Sequence, residues 1–252
     1  MRHAFFESAG PLVFAHRGGS GLAPENTIAA FDRGLAEGAD GLELDVHLSR
    51  DGVVVVHHDA TLQRTTTLTG PVAGRTAAEL SRAAVPALSE VLRRYPAVRI
   101  IVELKANSEA LAESFVSTVR ASAAVDRVCA GSFSLRVLRA VRRLEPALAT
   151  SAAREEVRWA LYRSWCRWPV ARVAYRGYQV PEWAGRTHVV SRRFVADAHR
   201  AGLAVQVWTV DSPADAERLL SWGVDALMTD RPDIIVPVVR SFTGKDTKDA
   251  KE

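Results

Sequence analysis

Cysteine is scarce in this chain of 252 residues, since Cys129 and Cys166 are its only two. Two cysteines are too few for a disulfide framework, and neither stands at a spacing typical of a zinc site. We therefore expect both to be packing residues. The sequence also lacks the run of about 20 apolar residues that crosses a bilayer, and it lacks a secretion-signal pattern. These absences predict a cytoplasmic protein.

An excess of charge of one sign is also missing. The formal net charge is only +4, from 33 Lys and Arg against 29 Asp and Glu. The basic residues do not form the stripe with base-stacking aromatic side chains that is expected of a nucleic-acid-binding protein. We therefore predict no nucleic-acid partner. Hydrophobic residues make up 48% of the chain, which is enough to bury the core of one domain of ordinary size.

Short runs rich in β-branched residues alternate with Ala-, Leu- and Arg-rich stretches of helical period, which is the pattern of βα units and a parallel sheet. Eight runs are predicted strands: residues 12–16, 41–47, 99–105, 127–133, 148–152, 173–179, 204–208 and 225–229. Eight βα units in a chain of roughly 250 residues are typical of a TIM (β/α)₈ barrel. The sequence therefore predicts a single-domain α/β barrel over residues 1–240.

Two segments fall outside this eightfold pattern. Residues 53–58 follow an Asp-Gly pair, which is a tight-turn signal, and we predict a short β-hairpin excursion after the second strand. Residues 241–252 mix lysines with acids and have no hydrophobic period. We predict a disordered polar tail for that segment.

Three acids stand near the ends of two neighbouring predicted strands. Because side chains alternate along a strand, Glu43 and Asp45 share one face, as do Glu103 and Lys105. Active sites of TIM barrels lie at the C-terminal ends of the strands, so these carboxylates are expected to converge. Three oxygen ligands without cysteine suit a hard divalent cation, Mg²⁺ or Ca²⁺. The alternative is that the acids only form ion pairs with Arg17 and Lys105.

Two histidines and two cations accompany the acids. His16 ends the first predicted strand, and His58 ends the hairpin run. One neutral imidazole can accept a proton while an imidazolium donates one, which is how a phosphodiester is opened near neutral pH. Arg17 would hold a phosphate oxygen through its planar fork, and Lys105 would add a point charge. The sequence leaves open which histidine is the base and which is the acid.

Three later strand ends carry candidates for a substrate pocket, namely Phe133, Gln179 and Trp208. The two aromatic rings would form walls against a glycerol or choline face. The alternative for both rings is ordinary packing in the barrel core.

Two polar residues precede a predicted helix over residues 27–37. We expect Glu25 and Asn26 to orient His16 or Arg17 from behind the site. Asn26 is also expected to cap the helix, because an Asn side chain there accepts a backbone N–H.

These residues belong to a longer ordered series that runs from about residue 11 to about residue 235. Its members are His16-Arg17-Gly18, Pro24-Glu25-Asn26-Thr27, Glu43-Leu44-Asp45-Val46, Asp51-Gly52, His58-Asp59, Thr61-Leu62, Arg64-Thr65-Thr66, Glu103-Leu104-Lys105, Ser132-Phe133, Val207-Trp208-Thr209 and Thr229-Asp230-Arg231-Pro232. This series closely resembles the glycerophosphodiester phosphodiesterase family. One segment departs from the family pattern, because Thr-Leu-Thr-Gly at residues 67–70 replaces a common Asn-Gly turn.

The resemblance implies a TIM barrel that splits a small-molecule glycerophosphodiester into glycerol 3-phosphate and an alcohol. It implies one divalent cation, Mg²⁺ or Ca²⁺, held by Glu43, Asp45 and Glu103. His16 and His58 would act as general acid and base, in either order. A noncatalytic phosphate-binding barrel is the alternative, and the presence of both histidines and all three acids argues against it.

A basic and aromatic segment begins at Val157 and ends at Val173, and it contains no acid. On a helix, Leu161, Trp165 and Trp168 would form a stripe with i, i+4, i+7 spacing. One interpretation is a helix that lies on anionic lipid, which would suit an enzyme that acts on membrane lysophospholipids. The interpretation that we favour is a barrel helix that packs its Trp stripe and leaves its arginines in solvent.

Overall fold

The computed structural model describes residues 3–168 and 173–249. The strands within these ranges are β1 Leu12–Ala15, β2 Gly41–Leu48, β3 Val54–Val56, β4 Arg99–Leu104, β5 Val128–Gly131, β6 Ala149–Thr150, β7 Gly177–Pro181, β8 Trp183–Ala184, β9 Thr187–His188, β10 Ala204–Trp208 and β11 Ala226–Thr229. The helices are α1 Ile28–Ala36, α2 Ala77–Ser81, α3 Leu88–Arg94, α4 Glu109–Ala121, α5 Leu135–Leu144, α6 Arg154–Cys166, α7 Arg192–Arg200, α8 Pro213–Leu220 and α9 Pro232–Asp249. None of the described helices is both long enough and apolar enough to cross a membrane.

Parallel pairing joins the main strands in the order β6, β5, β4, β2, β1, β11, β10, β7. The two ends of this order meet at a parallel bridge between Ser151 and Gly177. There the Ala152 N–H donates to the Gly177 carbonyl, and the Arg176 N–H donates to the Thr150 carbonyl, both at 2.9 Å. Eight parallel strands therefore form a nearly closed barrel, and the predicted TIM (β/α)₈ fold is confirmed.

Two short hairpins depart from the barrel. β3 pairs antiparallel with β2, which confirms the excursion predicted from the Asp-Gly turn. β8 pairs antiparallel with β9 directly after β7, and this hairpin is not among the strands predicted from the sequence. The sixth barrel strand begins at Gly177 rather than at residue 173. Residues 173–175 are apolar for a different reason, because Tyr175 is buried in a connection and packs against Tyr178 with ring centroids 5.2 Å apart.

The barrel interior is closed at its N-terminal end by aromatic side chains. Phe5 and Phe6 lie in a short 3₁₀ turn, and Phe5 stacks on Phe14 with ring centroids 6.0 Å apart. Cys129 is buried in this layer, whereas Cys166 is exposed at the end of α6. The expected packing role is therefore wrong for Cys166.

Successive side chains of β2 point in turn to the layer of helices and to the barrel interior. Leu42, Leu44 and Val46 are buried in the cluster between the sheet and the helices. Glu43 and Asp45 lie between them in sequence and point to the opposite side. The strand thus places both carboxylates inside the barrel.

Helix α6 buries a different face from the one predicted. Leu161 is buried, but Trp165 and Trp168 are exposed, so the expected packing of a Trp stripe is wrong. The buried face consists of Ala160, Leu161 and Ser164, and the Ser164 hydroxyl donates to Asp197 Oδ2 of α7 at 2.6 Å. Residues 169–172 of the basic and aromatic segment lie outside the described residues.

The backbone of α9 continues to Asp249, although we predict a disordered tail from residue 241. The helix is extended because Phe242 packs against the core and the Thr243 hydroxyl donates to the Val239 carbonyl oxygen at 3.1 Å. Residues 250–252 lie outside the described residues. The domain boundary at residue 240 stays a prediction.

The turn after β1 requires glycine at one position. Gly18 has φ +88°, and a Cβ atom there would lie 2.8 Å from the Ala30 carbonyl carbon. We expect Gly18→Ala to lower the free energy of unfolding by about 3 kcal/mol, from backbone strain and from the close contact. Gly52→Ala is the control, because φ is +77° there but nothing lies within 4 Å of the added Cβ. Urea denaturation should give a loss of only about 1 kcal/mol for the control, and equal losses would contradict a tight turn at Gly18.

Candidate active site

The predicted catalytic, phosphate, metal and pocket residues lie around one cavity of about 120 Å³ at the C-terminal ends of the barrel strands. Its walls are His16, Arg17, Glu43, Asp45, His58, Glu103, Lys105, Phe133, Gln179 and Trp208, with Ile101 and Met228 also lining it. The structure thus brings together residues that are up to 192 positions apart, from His16 to Trp208. Glu25 and Asn26 stand behind this cavity rather than in its wall.

Three carboxylates converge at one point of the cavity. One oxygen each of Glu43, Asp45 and Glu103 lies within 4.8 Å of the others. Glu43 and Asp45 share a face of β2, and Asp45 is paired in register with Glu103 of β4. The cluster therefore follows from strand alternation and from the parallel register.

The electrostatics of this cluster require a counter-charge. Burial and then the charge of Asp45 raise the pKa of Glu43 well above its usual range. Burial also raises the pKa of Glu103, although Lys105 opposes that rise. Lys105 Nζ lies 3.3 Å from Asp45 Oδ1 and 3.6 Å from Glu103 Oε1. Arg17 and His16 are further positive neighbours, since Arg17 Nε lies 3.4 Å from Asp45 Oδ2 and His16 Nε2 lies 3.8 Å from Glu43 Oε2. The pKa values of Glu43 and Glu103 stay raised beside these groups, so burial and mutual repulsion still disfavour the ionised carboxylates.

The donor set of the cluster fits a divalent cation. Glu103 Oε1 is buried and accepts no hydrogen bond within the described part of the chain. Burial acts to raise the pKa of Asp45, but the charge of Lys105 and the hydrogen bond from Asn26 outweigh it and lower this pKa. An ionised carboxylate beside two carboxylates of raised pKa is a cluster that a hard cation would neutralise.

A carboxylate holds the ring of His16. Its Nδ1 lies 2.7 Å from Asp230 Oδ1, and its Nε2 lies 3.8 Å from Glu43 Oε2. Ser20 donates to the same Asp230 oxygen at 2.5 Å. Burial alone would lower the pKa of the His16 imidazole, but Glu43 and Asp230 together outweigh burial and raise the pKa to about 9. The ring orientation is thus fixed with Nε2 toward the acid cluster.

A second carboxylate holds His58 and belongs to a chain of ion pairs. His58 Nδ1 lies 2.6 Å from Asp59 Oδ1, and Arg64 Nε donates to Asp59 Oδ2 at 2.5 Å. The other two nitrogens of the Arg64 guanidinium donate to the two oxygens of Glu25 at 2.8 and 2.7 Å. Glu25 also accepts a hydrogen bond from Arg17 Nη1 at 3.1 Å. An unbroken series of charged contacts therefore links His58 with Arg17.

Asn26 acts on a metal-cluster carboxylate rather than on the helix. Its amide nitrogen donates to Asp45 Oδ2 at 2.9 Å, and its amide oxygen accepts the Asp45 backbone N–H at 3.2 Å. Thr27 caps α1 by accepting the Ala30 N–H. The prediction that Asn26 caps the helix is therefore wrong, because its left-handed backbone, φ 58°, turns the side chain toward β2.

Sequence reasoning assigned no site role to several residues of this arrangement, among them His47, Asp59, Arg64 and Asp230. Asp230 had a usable signal, since it directly follows the last barrel strand. Arg64 stands in the motif Arg64-Thr65-Thr66, but that motif assigned it no role, because its contacts come from an irregular loop. His47 is buried on β2, and its Nε2 lies 3.0 Å from the backbone oxygen of His58. This contact between His47 and His58 depends on where β3 folds back beside β2.

Two aromatic rings form one side of the cavity. Phe133 and Trp208 meet edge to face with ring centroids 6.3 Å apart. Phe133 is 47% exposed, so core packing does not account for it. Gln179 donates to Gln206 at 2.9 Å and lies at the cavity wall between the barrel interior and these rings.

Comparisons with known proteins agree with this geometry. The family model for the glycerophosphoryl diester phosphodiesterase family matches residues 16–234. A glycerophosphodiester phosphodiesterase of Caldanaerobacter subterraneus is 31% identical, with 91% of this chain and 98% of the relative covered. One of Bacillus altitudinis is 32% identical, with 90% and 97% covered. An Oleispira antarctica phosphodiesterase, solved with the product sn-glycerol-3-phosphate, has a TM-score of 0.75 and 26% identity, with 91% and 97% covered. This chain therefore belongs to the glycerophosphoryl diester phosphodiesterase family and is a phosphoric diester hydrolase.

Proposed function

We propose that this chain hydrolyses glycerophosphodiesters to glycerol 3-phosphate and an alcohol, with a divalent cation and with His16 and His58 as general acid and base. One observation carries the proposal. Three carboxylate oxygens within 4.8 Å of one another share a cavity with two histidines whose Nδ1 atoms are each held by a carboxylate. The Oleispira antarctica neighbour, which holds the product sn-glycerol-3-phosphate, supports the choice of substrate class.

Glu43, Asp45 and Glu103 would hold the cation, and their oxygen atoms suit Mg²⁺ or Ca²⁺. When bound, the cation supplies Lewis-acid stabilisation of the charge that builds on the nonbridging phosphate oxygens. Lys105 lies beside two of these carboxylates and adds a fixed positive charge on the same side of the substrate.

Arg17 is placed to bind a phosphate oxygen. Its backbone N–H donates to Glu43 Oε2 at 3.0 Å, and its Nη1 donates to Glu25. Its Nε is buried, lies 3.4 Å from Asp45 Oδ2 and donates no hydrogen bond within the described residues. A guanidinium fixed in this way keeps donors for a substrate oxygen in a planar, always charged fork.

The two imidazoles would move the protons. Asp230 and Asp59 hold Nδ1 of His16 and of His58, which leaves the two Nε2 atoms for the substrate. One Nε2 takes the proton of the attacking hydroxyl, from water or from the neighbouring glycerol hydroxyl. The other gives a proton to the oxygen of the departing alcohol as the phosphorus–oxygen bond breaks. Each ring is thus oriented before the substrate arrives.

The direct test is to incubate purified protein with glycerophosphocholine and Mg²⁺ or Ca²⁺ and to identify the products. The proposal predicts glycerol 3-phosphate and choline. Phosphocholine and glycerol as the products would contradict the proposed bond cleavage. Binding of glycerophosphocholine without any product would favour the noncatalytic phosphate-binding barrel.

Arg64 offers a test of the ion-pair chain. We expect Arg64→Ala to lower kcat/KM for glycerophosphocholine by about tenfold, because Asp59 would no longer be held against His58. Arg94→Ala is the matched control, since Arg94 is similarly exposed and makes a similar two-point contact with Asp32 outside the cavity. Equal kcat/KM for both variants and the wild type would show that the ion pairs of Arg64 do not position His58.

A further inference from the structure

A second cavity, of about 430 Å³, adjoins the active-site cavity. The two share four wall residues: Glu103, Phe133, Gln179 and Trp208. The rest of the wall is mainly apolar, with Ala152, Val157, Val180, Pro181, Trp183 and Val189, and it also includes Ser132, Ser151 and Arg154. The reacting centre therefore opens on one side into a large apolar space.

This second cavity does not match a small polar alcohol. Glycerol is fully hydrated in water and gains little from apolar walls. The aromatic rings can contact a choline group, but the aliphatic walls of this cavity favour an aliphatic chain, which gains with every methylene group that leaves water. A cavity of this size and lining is typical of sites that enclose an apolar group beside a few polar contacts. The lining therefore indicates a substrate that carries an aliphatic chain.

The mouth of the apolar cavity lies between α6 and the β8–β9 hairpin. Val157 lines it from the first turns of α6, and Trp183 and Ala184 line it from β8. Large aromatic side chains are exposed along α6, directly after it and in β8, where Trp183 also lines the cavity. Each of them is between 50% and 66% exposed: Trp159, Tyr162, Trp165, Trp168 and Trp183.

The same face is positively charged. The sequence contains no acid from Val157 to Trp168. Arg158 is exposed on α6, Arg167 is exposed directly after α6, and Arg186 is exposed in the β8–β9 hairpin. Exposed Trp and Tyr rings beside arginines match the headgroup region of an anionic bilayer, where rings insert at the interface and guanidinium groups meet lipid phosphates.

We propose that the exposed face of α6 and the β8–β9 hairpin dock on an anionic lipid surface, and that the adjoining apolar cavity takes the aliphatic chain of a glycerophosphodiester presented there. This proposal rests on the proposed function and names a lipid-borne substrate for the same site. In the reaction, the hydroxyl of water joins phosphorus, the phosphorus–oxygen bond to the headgroup alcohol breaks, and the alcohol oxygen takes the proton.

Choline release provides one readout for both substrate classes. Lysophosphatidylcholine would give lysophosphatidate and choline, and glycerophosphocholine would give glycerol 3-phosphate and choline. We expect wild-type protein to release choline from lysophosphatidylcholine held in vesicles of phosphatidylcholine and phosphatidylglycerol. We also expect it to sediment with these vesicles and to remain in solution with vesicles of phosphatidylcholine alone.

Two variants separate the docking surface from the cavity. Arg158→Glu with Arg186→Glu should lower vesicle binding and turnover of the vesicle-held lipid by at least about tenfold, because repulsion replaces attraction. Arg93→Glu with Arg139→Glu makes the same change in charge on exposed sites of α3 and α5 and should alter neither. Ala184→Trp should fill the mouth of the cavity and lower lipid turnover while vesicle binding persists.

Hydrolysis of glycerophosphocholine by every variant serves as the control for folding and for the catalytic centre. Choline from glycerophosphocholine but not from the lipid would overturn this inference and leave the proposed function intact. No choline from either substrate by the wild-type protein would overturn the proposed function itself. Equal vesicle binding by wild type and by Arg158→Glu with Arg186→Glu would overturn the docking surface and would favour a protein partner for the aromatic face.

Discussion

Replacing His16 or His58 with alanine is expected to lower kcat for glycerophosphocholine by about 10²- to 10⁴-fold, the range that general acid–base groups supply. Each ring lies in the cavity wall with Nδ1 held by a carboxylate, so its loss removes a positioned proton carrier rather than a binding surface. KM should change much less than kcat. Because the two rings act in one step, the double variant should have a kcat only slightly lower than that of the less active single variant.

The matched control is His199→Ala. His199 Nε2 lies 2.8 Å from Asp225 Oδ2, which is the same kind of histidine–carboxylate contact, but it is outside both cavities. We expect this variant to keep kcat. Steady-state kinetics with glycerophosphocholine checks all the variants, and an unchanged kcat in both His16→Ala and His58→Ala would contradict the assigned roles.

The second large effect is expected at Glu43. Glu43→Gln should weaken binding of the divalent cation by more than about 100-fold and lower kcat by about a thousandfold, because one of three charged ligands is lost. In the presence of a chelator the same variant should be more stable than the wild type. The reason is that burial and the charge of Asp45 make an ionised Glu43 unfavourable in the folded protein without a cation.

The pH dependence follows from the sign of this shift. The pKa of Glu43 is raised in the folded state, so its contribution to stability is complete below the ordinary carboxyl pKa and is lost as the pH rises through the raised value. Between pH 5 and pH 8, the chelated wild type should therefore lose stability relative to Glu43→Gln, and the difference in Tm should reach about 3 °C. Glu90→Gln, at an exposed position of α3, should behave like the wild type. Parallel Tm curves for wild type and Glu43→Gln would contradict this description of the cluster.

Strand alternation accounts for most of what the sequence predicts. Glu43, Asp45 and Glu103 converge because period-two patterns on two neighbouring strands fix which face each carboxylate takes. The barrel itself follows from the repeated βα pattern. Strand ends are less predictable, as residues 173–175 show, because an apolar connection and a strand can have the same composition.

Strand alternation does not predict the contacts that loop residues make. Arg64 reaches Glu25 and Asp59 from an irregular segment, and no periodicity specifies that approach. The face of α6 is a further example. A Trp stripe at helical spacing predicts packing, but Ser164 and its contact with Asp197 decide which face meets α7. The aromatic side chains of α6 therefore stay exposed to solvent, where they can contact the proposed lipid surface.

The central claim is that the three-carboxylate cluster holds a divalent cation that hydrolysis of a glycerophosphodiester requires. The most direct measurement is release of glycerol 3-phosphate from glycerophosphocholine by the chelated protein, before and after Mg²⁺ or Ca²⁺ is restored. We predict no release after chelation, full recovery for the wild type, and no recovery for Glu103→Gln. Undiminished release by the chelated wild type, or full activity of Glu103→Gln, would contradict the account.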